Sequence, residues 1–412
     1  MIASVAATGD VSDINCWSGI PYHFATAAVA CGHSVKPWRL DMKQFKSGRR
    51  RWNLRQLICG RGMGGYQFSE AFLARAEAAI PANQWLGRTL SFNQHFPRGK
   101  TVTANGGRLV HYIDATFAAF CGPGGLAARL PARVQKNACA LERENYAASE
   151  WVVTMSRWAA SSVVRDCGVA STKVATILPG ANLILPPGFS FSDPDGVPWR
   201  ARRLRLGFVG KDWKRKGLPF LLLVRAELER LGVPAVVRCA GNCPDELSGQ
   251  PGLEYVGFID KAKKPAEFLK FLTDCDVGCL FSEQEPLGIS TLEFLRAGVP
   301  VTGIMIEGVA DTVPPDAGFR FPPTAKPSEV ARTLAQAFQN SATLNQLREN
   351  ARRWSPLVTW ERCIAEWQEL LVTGEIKFPV QPWRGLAVAM LANSSSSIEI
   401  EKNSRDAGSF NA

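Results

Sequence analysis

From residue 204 onward, short apolar runs alternate with longer stretches in which apolar positions recur every three or four residues. "LRLGFVG" (204–210) reads as a buried strand, "LPFLLLVRAELERLG" (218–232) as an amphipathic helix closing at Gly232, and "AVVRCAG" (235–241) as the next strand. The series continues through "EYVGFI", "AEFLKFLTDC", "DVGCLF", "ISTLEFLRAG" and "VPVTGI". Strands that are nearly all apolar imply a parallel sheet covered on both faces, so this half is expected to be a doubly wound α/β domain. The first half repeats the theme with "IASVAA", "HSVKPWRL", "RLVHYIDA", "WVVTMS" and "KVATILPG" as strands and helices near 20–32, 67–80, 126–149 and 157–167. Between the halves, "LPPGFSFSDPDGVPWRARR" gathers Pro, Gly, Ser and Asp without periodicity. The expected organisation is a domain over 1–185, a linker over 186–203 and a second domain over 204–356. A helix over 357–375 is expected to pack back on the first domain, and the polar, aperiodic residues 385–412 to be disordered.

Length and composition agree with two cores: 412 residues at 46% hydrophobic content suffice for two ordinary globular domains. A formal charge of +11 points to an anionic partner, whether a phosphorylated ligand, nucleic acid or an anionic membrane surface, and does not choose among them. The 11 cysteines sit mostly in apolar runs such as "VVRCAG" and "DVGCLF", as free thiols do in a reducing compartment. Cys239 and Cys243, like Cys275 and Cys279, are four apart without a nearby histidine, so no metal site is expected. "MIASVAATGDVSD" lacks the basic segment and long apolar core of a signal peptide, and no apolar run approaches the roughly 20 residues of a membrane span. A cytoplasmic protein is expected, with peripheral contact to the inner membrane surface left open.

The chemistry concentrates in "SEQEPLGISTLEFLRAGVPV", at the C-terminal end of the strand "DVGCLF", the ligand edge of an open parallel sheet. Amides of Leu287, Gly288 and Ile289 at the start of the following helix, with the helix dipole, favour a phosphate or developing anion. Glu285 would accept hydrogen bonds from hydroxyls, and Glu293, about two turns further on, could accept both hydroxyls of a ribose diol. The alternative for the residues alone is that Glu285 caps the helix and Glu293 is solvated. "GKDWKRKG" follows a buried strand of the same sheet, so Lys211 and Lys216 at its ends are expected in the same crevice, with Lys214 and Arg215 pointing to solvent. "CGRGMGG" fits G-x-G-x-x-G through Gly60, Gly62 and Gly65, but no acidic residue follows at about 20 positions, so it is read as a flexible loop. The adjacent "KSGRRRWNLR" is a weak signal for nucleic acid or anionic lipid.

"SEQEPLGISTLEFLRAGVPV" resembles the E-x7-E signature of the group 1 glycosyltransferases (GT4-like), with Glu285 and Glu293 at its two acidic positions. "FVGKDWKRKGLPFLL" is similar to that family's segment in which two basic residues grip the donor diphosphate, here Lys211 and Lys216. "INCWSGIPYHFATAA", with Gly19, resembles its glycine-bearing first loop, and "VTMSRWAASSV" with "ILPGAN" its hinge-proximal strand and loop. The resemblance implies a GT-B fold, two Rossmann-like doubly wound domains facing across a cleft. It implies transfer of a sugar, with retention, from a nucleotide-diphosphate sugar to an acceptor held mainly by the first domain. No cofactor, no metal and no nucleic acid are expected; the acceptor is left open as glycan, lipid-linked or small molecule. Many members have a histidine at the end of the strand corresponding to "RLVHYID"; here that strand is expected to end at Asp114, with His111 the weaker candidate. Catalysis is thereby assigned to Glu285, Asp114 and Lys216, and donor binding to Gly19, Lys211, Lys216, Glu285, Leu287, Gly288, Ile289 and Glu293. Rival readings are a same-fold sugar phosphorylase or nucleotide-sugar epimerase, and a non-catalytic binder of nucleic acid or membrane driven by net charge.

Overall fold

The computed structural model describes residues 2–122, 125–191, 202–244, 247 and 249–376. Most of the expected linker and all of the expected tail lie outside the described residues. In the N-terminal half, β1 (Ile2–Ala6), β2 (Lys36–Pro37), β3 (Gly87–Ser91), β4 (Gly107–Ile113), β5 (Trp151–Thr154) and β6 (Val174–Thr176) form a parallel sheet in the order β2-β1-β3-β4-β5-β6. In the C-terminal half, β7 (Leu204–Gly210), β8 (Ala235–Gly241), β9 (Leu253–Gly257), β10 (Val277–Leu280), β11 (Val301–Ile304) and β12 (Gly318–Phe321) form a second parallel sheet, ordered β12-β11-β10-β7-β8-β9. Both are doubly wound. Strand order reverses between β7 and β10, so the loops leaving those two strands open onto one crevice. They are the basic run and the first acidic residue of the motif.

The C-terminal core stacks Leu206, Phe208, Val237 and Val277 of the sheet against Leu221, Val224 and Leu228 of the Leu218–Arg230 helix. β7 is buried along almost its whole length, as expected for a central parallel strand; β9, though apolar in sequence, is the sheet edge and leaves Tyr255 and Val256 exposed. Gly217, in the left-handed region at φ 81°, lets the helix start press against β10: a Cβ there would lie 2.0 Å from the Phe281 carbonyl oxygen.

Three sequence expectations shift. β3 is absent from the sequence reading because "GRTLS" is short and half polar, yet Thr89 and Ser91 are fully buried in mid-sheet. "HSVKPWRL" yields only a two-residue edge strand, because Trp38 and Leu40 turn inward to pack the core against Trp85 and Phe96. The helix expected from 126 begins at Ala132, behind Pro131.

The helix Trp360–Thr373 lies on the N-terminal half. Trp360 and Trp367 meet Phe24 edge-on at ring-centroid distances of 6.2 and 6.1 Å, and Trp360 Nε1 donates to Asn182 Oδ1 at 3.0 Å. A second tie joins the halves: Arg157, opening the helix Arg157–Cys167, binds Asp311 through its backbone N–H (2.6 Å) and its Nε (2.7 Å). Among the described residues no helix is long and apolar enough to cross a membrane.

Candidate active site

A cavity of about 240 Å³ lies between the halves, lined by Ser18, His23 and Asn182 from one side and by Gly210, Lys211, Arg215, Lys216, Phe258, Lys261, Ile289 and Glu293 from the other. Four cationic side chains therefore face one space. Gly210 and Gly241 end adjacent strands whose backbones nearly touch, since a Cβ on Gly241 would sit 1.9 Å from the Gly210 carbonyl oxygen. That closeness leaves the floor of the cavity free of side chains beside the basic loop.

Lys216 Nζ donates to Glu285 Oε2 at 2.8 Å, and both side chains are largely buried. Glu285 Oε1 accepts from the Gly288 N–H at 3.2 Å, and the Ser282 hydroxyl donates to Oε2 at 3.3 Å. Burial alone would push the Glu285 carboxyl up, but Lys216, Arg215 and the Gly288 amide outweigh it and hold the group below its ordinary value. Glu285 thus caps the turn into the helix Ile289–Arg296, as the plainer alternative has it, and also anchors a cation of the cavity wall. Its backbone N–H donates to Glu307 Oε2 at 2.6 Å, which brings a third carboxylate to the cluster. Gly288, at φ 84°, is the left-handed residue that turns the chain into the helix, and the Leu287 carbonyl oxygen accepts from the Thr312 hydroxyl at 3.1 Å.

Glu293 is fully buried rather than solvated. Oε1 is ion-paired to Lys261, whose ammonium lies 4.3 Å from the Phe268 ring centroid, while Oε2 has no hydrogen-bond partner among the described residues. Burial pushes its carboxyl up against the opposing pull of Lys261 and Lys216. A buried carboxylate oxygen without a partner on a cavity wall is an unmet acceptor.

The basic loop departs from expectation at one residue. Arg215 is not at a solvent-facing tip: its guanidinium donates to the Gln284 carbonyl at 2.5 Å and stands 3.4 Å from Glu285 Oε2, clamping the basic loop onto the acidic one. The backbone reinforces the clamp, with the Glu283 N–H donating to the Arg215 carbonyl at 2.9 Å. Lys214 is exposed, and Lys211 extends along the rim with its ammonium 5.0 Å from the Phe258 ring centroid.

From the N-terminal half, Asp114 follows directly on β4 and is only partly exposed. Burial first, and then the charges of Glu285 and Glu307, raise its carboxyl to about 6 against the stabilising N–H groups of its own residue and Ala115. Asp114 is therefore within the field of the acidic cluster, although it does not line the cavity. His111 is a fully buried structural residue: Nδ1 lies 2.8 Å from the Ser149 hydroxyl, its ring stacks edge-on with Tyr146, and burial brings it down to about 3. Gly19, at φ 87°, is also behind the wall; a Cβ there would meet the Ile14 carbonyl at 2.8 Å. It positions Ser18 and His23, which do line the cavity. His23 is kept neutral at about 4 by burial and by Lys261 across the cleft.

Sequence reasoning missed Arg215, Lys261, His23, Asn182, Phe258 and Glu307. Lys261 and Phe258 follow an edge strand, where "GFIDKAKK" reads as one more solvated charged loop. The loop "CGRGMGG" is exposed from Cys59 to Met63 and is held at its end, where Trp52 Nε1 donates to the Gly64 carbonyl at 2.8 Å and Gly65 lies against Val134.

Residues 193–354 match the family model of the glycosyl transferases group 1. A probable transglycosylase of Burkholderia thailandensis is 28% identical over 228 residues, covering 51% of this chain and 58% of its own length. The 2-deoxystreptamine glucosyltransferase of Streptomyces kanamyceticus is 25% identical over 230 residues, covering 49% and 58%. The match thus spans less than two thirds of these curated relatives. Sucrose-phosphate synthase of Thermosynechococcus elongatus superposes with a TM-score of 0.63 at 14% identity, over 90% of this chain and 98% of that one. WaaG, a glycosyltransferase involved in lipopolysaccharide biosynthesis, gives 0.60 at 16% over 91% and 100%, and Anabaena HepE in complex with UDP gives 0.60 at 14% over 90% and 100%. These solved structures share the GT-B fold. Residues 193–354 thus match the model of the group 1 glycosyl transferases, and the described residues have the GT-B fold of these solved structures.

Proposed function

We propose that the protein transfers a glycosyl group, with retention of anomeric configuration, from a nucleoside-diphosphate sugar to an acceptor approached from the N-terminal half. One observation carries the reading: Glu293, which lines the cavity together with Lys211, Arg215, Lys216 and Lys261, has a buried carboxylate oxygen without a partner among the described residues. A ribose diol satisfies such an acceptor, and a diphosphate attached to that ribose meets the cations. The amides of Leu287, Gly288 and Ile289 and the helix start add fixed positive potential where the leaving diphosphate gathers charge. Glu285 orients the sugar while keeping Lys216 in place, and Asp114, outside the cavity wall, acts on the site through its charge, coupled to Glu285 and Glu307.

Neutralisation by side-chain cations and backbone amides leaves no step to a divalent metal in this mechanism, and no cofactor is invoked. The structure of HepE with UDP makes a uridine nucleotide the first donor base to test. A thermal-shift panel of UDP, GDP, ADP and their sugars tests the reading, because a ligand at about 100 times its dissociation constant stabilises by about 2.7 kcal/mol. Product analysis of the stabilising sugar nucleotide, with and without candidate acceptors, then separates transfer from epimerisation or phosphorolysis. Failure of every nucleoside diphosphate to shift the transition would overturn it.

A further inference from the structure

Between Asp41 and Glu70 the chain carries Lys43, Lys46, Arg49, Arg50, Arg51, Arg55 and Arg61 and not one carboxylate. Most of these cations lie on α2 (Lys46–Ile58), a 13-residue helix about 20 Å long that stands on the outside of the N-terminal half. It is fastened along one seam. Gly48 lets the helix settle on the Tyr66 hydroxyl, which a Cβ would approach to 2.2 Å, Trp52 donates to the Gly64 carbonyl, and Gln56 is buried.

The opposite face reverses the usual order of an amphipathic helix. At 100° per residue, Arg50, Leu54 and Leu57 lie about 140–200° around the axis from Trp52, with Ile58 and Lys46 flanking them. Leu54 is 60% exposed, Leu57 53% and Ile58 78%, and Met63 in the next turn is 57% exposed. Among the described residues none of the five cations of α2 is in an ion pair. A helix held to the protein by a tryptophan seam thus presents aliphatic side chains and uncompensated charge outward.

We propose that the outer face of α2 docks the protein on an anionic phospholipid bilayer, Leu54, Leu57 and Ile58 entering the headgroup–acyl boundary while Lys46, Arg50 and Arg51 meet lipid phosphates. Charge complementarity selects an anionic surface, and the exposed aliphatics select a bilayer over nucleic acid, which offers their methyl groups no apolar phase to enter. α2 follows β2, whose C-terminal end lies on the same sheet edge from which Asp114 departs. The docking is independent of the chemistry proposed for the cavity.

The test is co-sedimentation of the full chain with vesicles of phosphatidylcholine plus phosphatidylglycerol, against phosphatidylcholine alone. Binding to the anionic vesicles only is expected. Lys46→Gln/Arg50→Gln/Arg51→Gln should lower affinity on the order of 100-fold, since each basic residue near such a surface contributes roughly fivefold. Leu54→Ser/Leu57→Ser/Ile58→Ser should lower it at least about tenfold with charge unchanged. Ile58→Ser alone, at the most exposed position, keeps the test available should the triple variant be unstable. Arg230→Gln/Arg332→Gln/Arg353→Gln removes equal charge from the other half and should bind within about threefold of wild type. Equal binding to neutral vesicles, wild-type binding by the serine variant, or equal loss in the control variant would each overturn the proposal. So would single-stranded RNA displacing the protein from vesicles with equal effect on wild type and the serine variant, which would mark α2 as a nucleic-acid surface.

Discussion

Replacing Lys216 by Ala removes the ammonium that faces the cavity and leaves Glu285 without its nearest partner. The two effects can be weighed separately. Breaking a buried ion pair from one side costs about 3–5 kcal/mol when nothing else compensates. Here the Gly288 N–H, the Ser282 hydroxyl and the Arg215 guanidinium stay within 3.2, 3.3 and 3.4 Å of the Glu285 carboxylate oxygens, so the expected stability loss is smaller, about 1–3 kcal/mol. The cation's loss from the leaving diphosphate should lower turnover about 100-fold, or about 2.7 kcal/mol of transition-state stabilisation. Arg215→Ala should also lose at least about tenfold, because its guanidinium holds the Gln284 carbonyl and supports Glu285. Lys211→Ala should be milder, about three- to tenfold, its ammonium standing over the exposed Phe258 ring. Lys214→Ala, at an exposed position, should stay within a few-fold. The assay is release of nucleoside diphosphate from the sugar nucleotide picked out by thermal shift, with circular dichroism confirming that each variant folds. Equal losses across the four variants, or the largest loss at Lys214, would refute the division of labour and leave a diffuse electrostatic patch.

Glu293→Gln keeps the side-chain volume but removes the anionic acceptor, and calorimetry should find the nucleoside diphosphate bound more weakly by about 1–3 kcal/mol; unchanged affinity would remove the ribose from this residue. Asp114→Asn should raise the melting temperature at neutral pH while lowering turnover. The folded-state carboxyl titrates at about 6 against an ordinary 3.8, so the stability from holding its proton is complete below about 3.8 and lost as pH rises through about 6; above that the ionised group opposes folding by up to about 3 kcal/mol. A melting-temperature gain as large at pH 4 as at pH 7 would show that ionisation is not its cause. Turnover should persist in EDTA, because Lys211, Arg215, Lys216 and the helix amides supply the positive charge; complete loss restored by magnesium or manganese would sink the mechanism.

What the chain discloses before folding depends on how far each feature reaches in sequence. Strands β7, β8 and β10 are legible because a central parallel strand is buried on both faces and so is apolar at nearly every position, a property of a few consecutive residues. β3 is equally central and hidden, because the Thr89 and Ser91 that it buries are polar and break the apolar run; the Ser91 hydroxyl is satisfied by the carbonyls of Asn93 and Phe96. The site divides the same way. Glu285, Glu293 and Lys216 stand out because strand, turn and helix start are contiguous, and the reversal of strand order between β7 and β10 brings their loops together. Arg215 was placed wrongly by the same local logic: from the loop alone it is a tip residue, and only the pairing of its backbone carbonyl with the Glu283 N–H turns its guanidinium onto Gln284 and Glu285. Lys261 reaches Glu293 across 32 residues, and His23 faces Lys261 from the other half of the molecule; neither contact leaves a periodicity. The consequence is specific to the cavity. A motif reading sees two carboxylates and two lysines, whereas the folded wall has Glu293 already half occupied by Lys261. A ligand that engages the free Oε2 therefore meets a carboxylate kept in place by a cation from a loop the motif does not include, and Lys261→Met should weaken nucleoside diphosphate binding even though the residue lies outside both signature segments. With that ammonium gone, the buried Glu293 carboxyl would rise further and become protonated nearer to neutrality, so the loss of affinity should be larger at pH 6 than at pH 8. A loss independent of pH would mean that Lys261 acts on the diphosphate directly and not through Glu293.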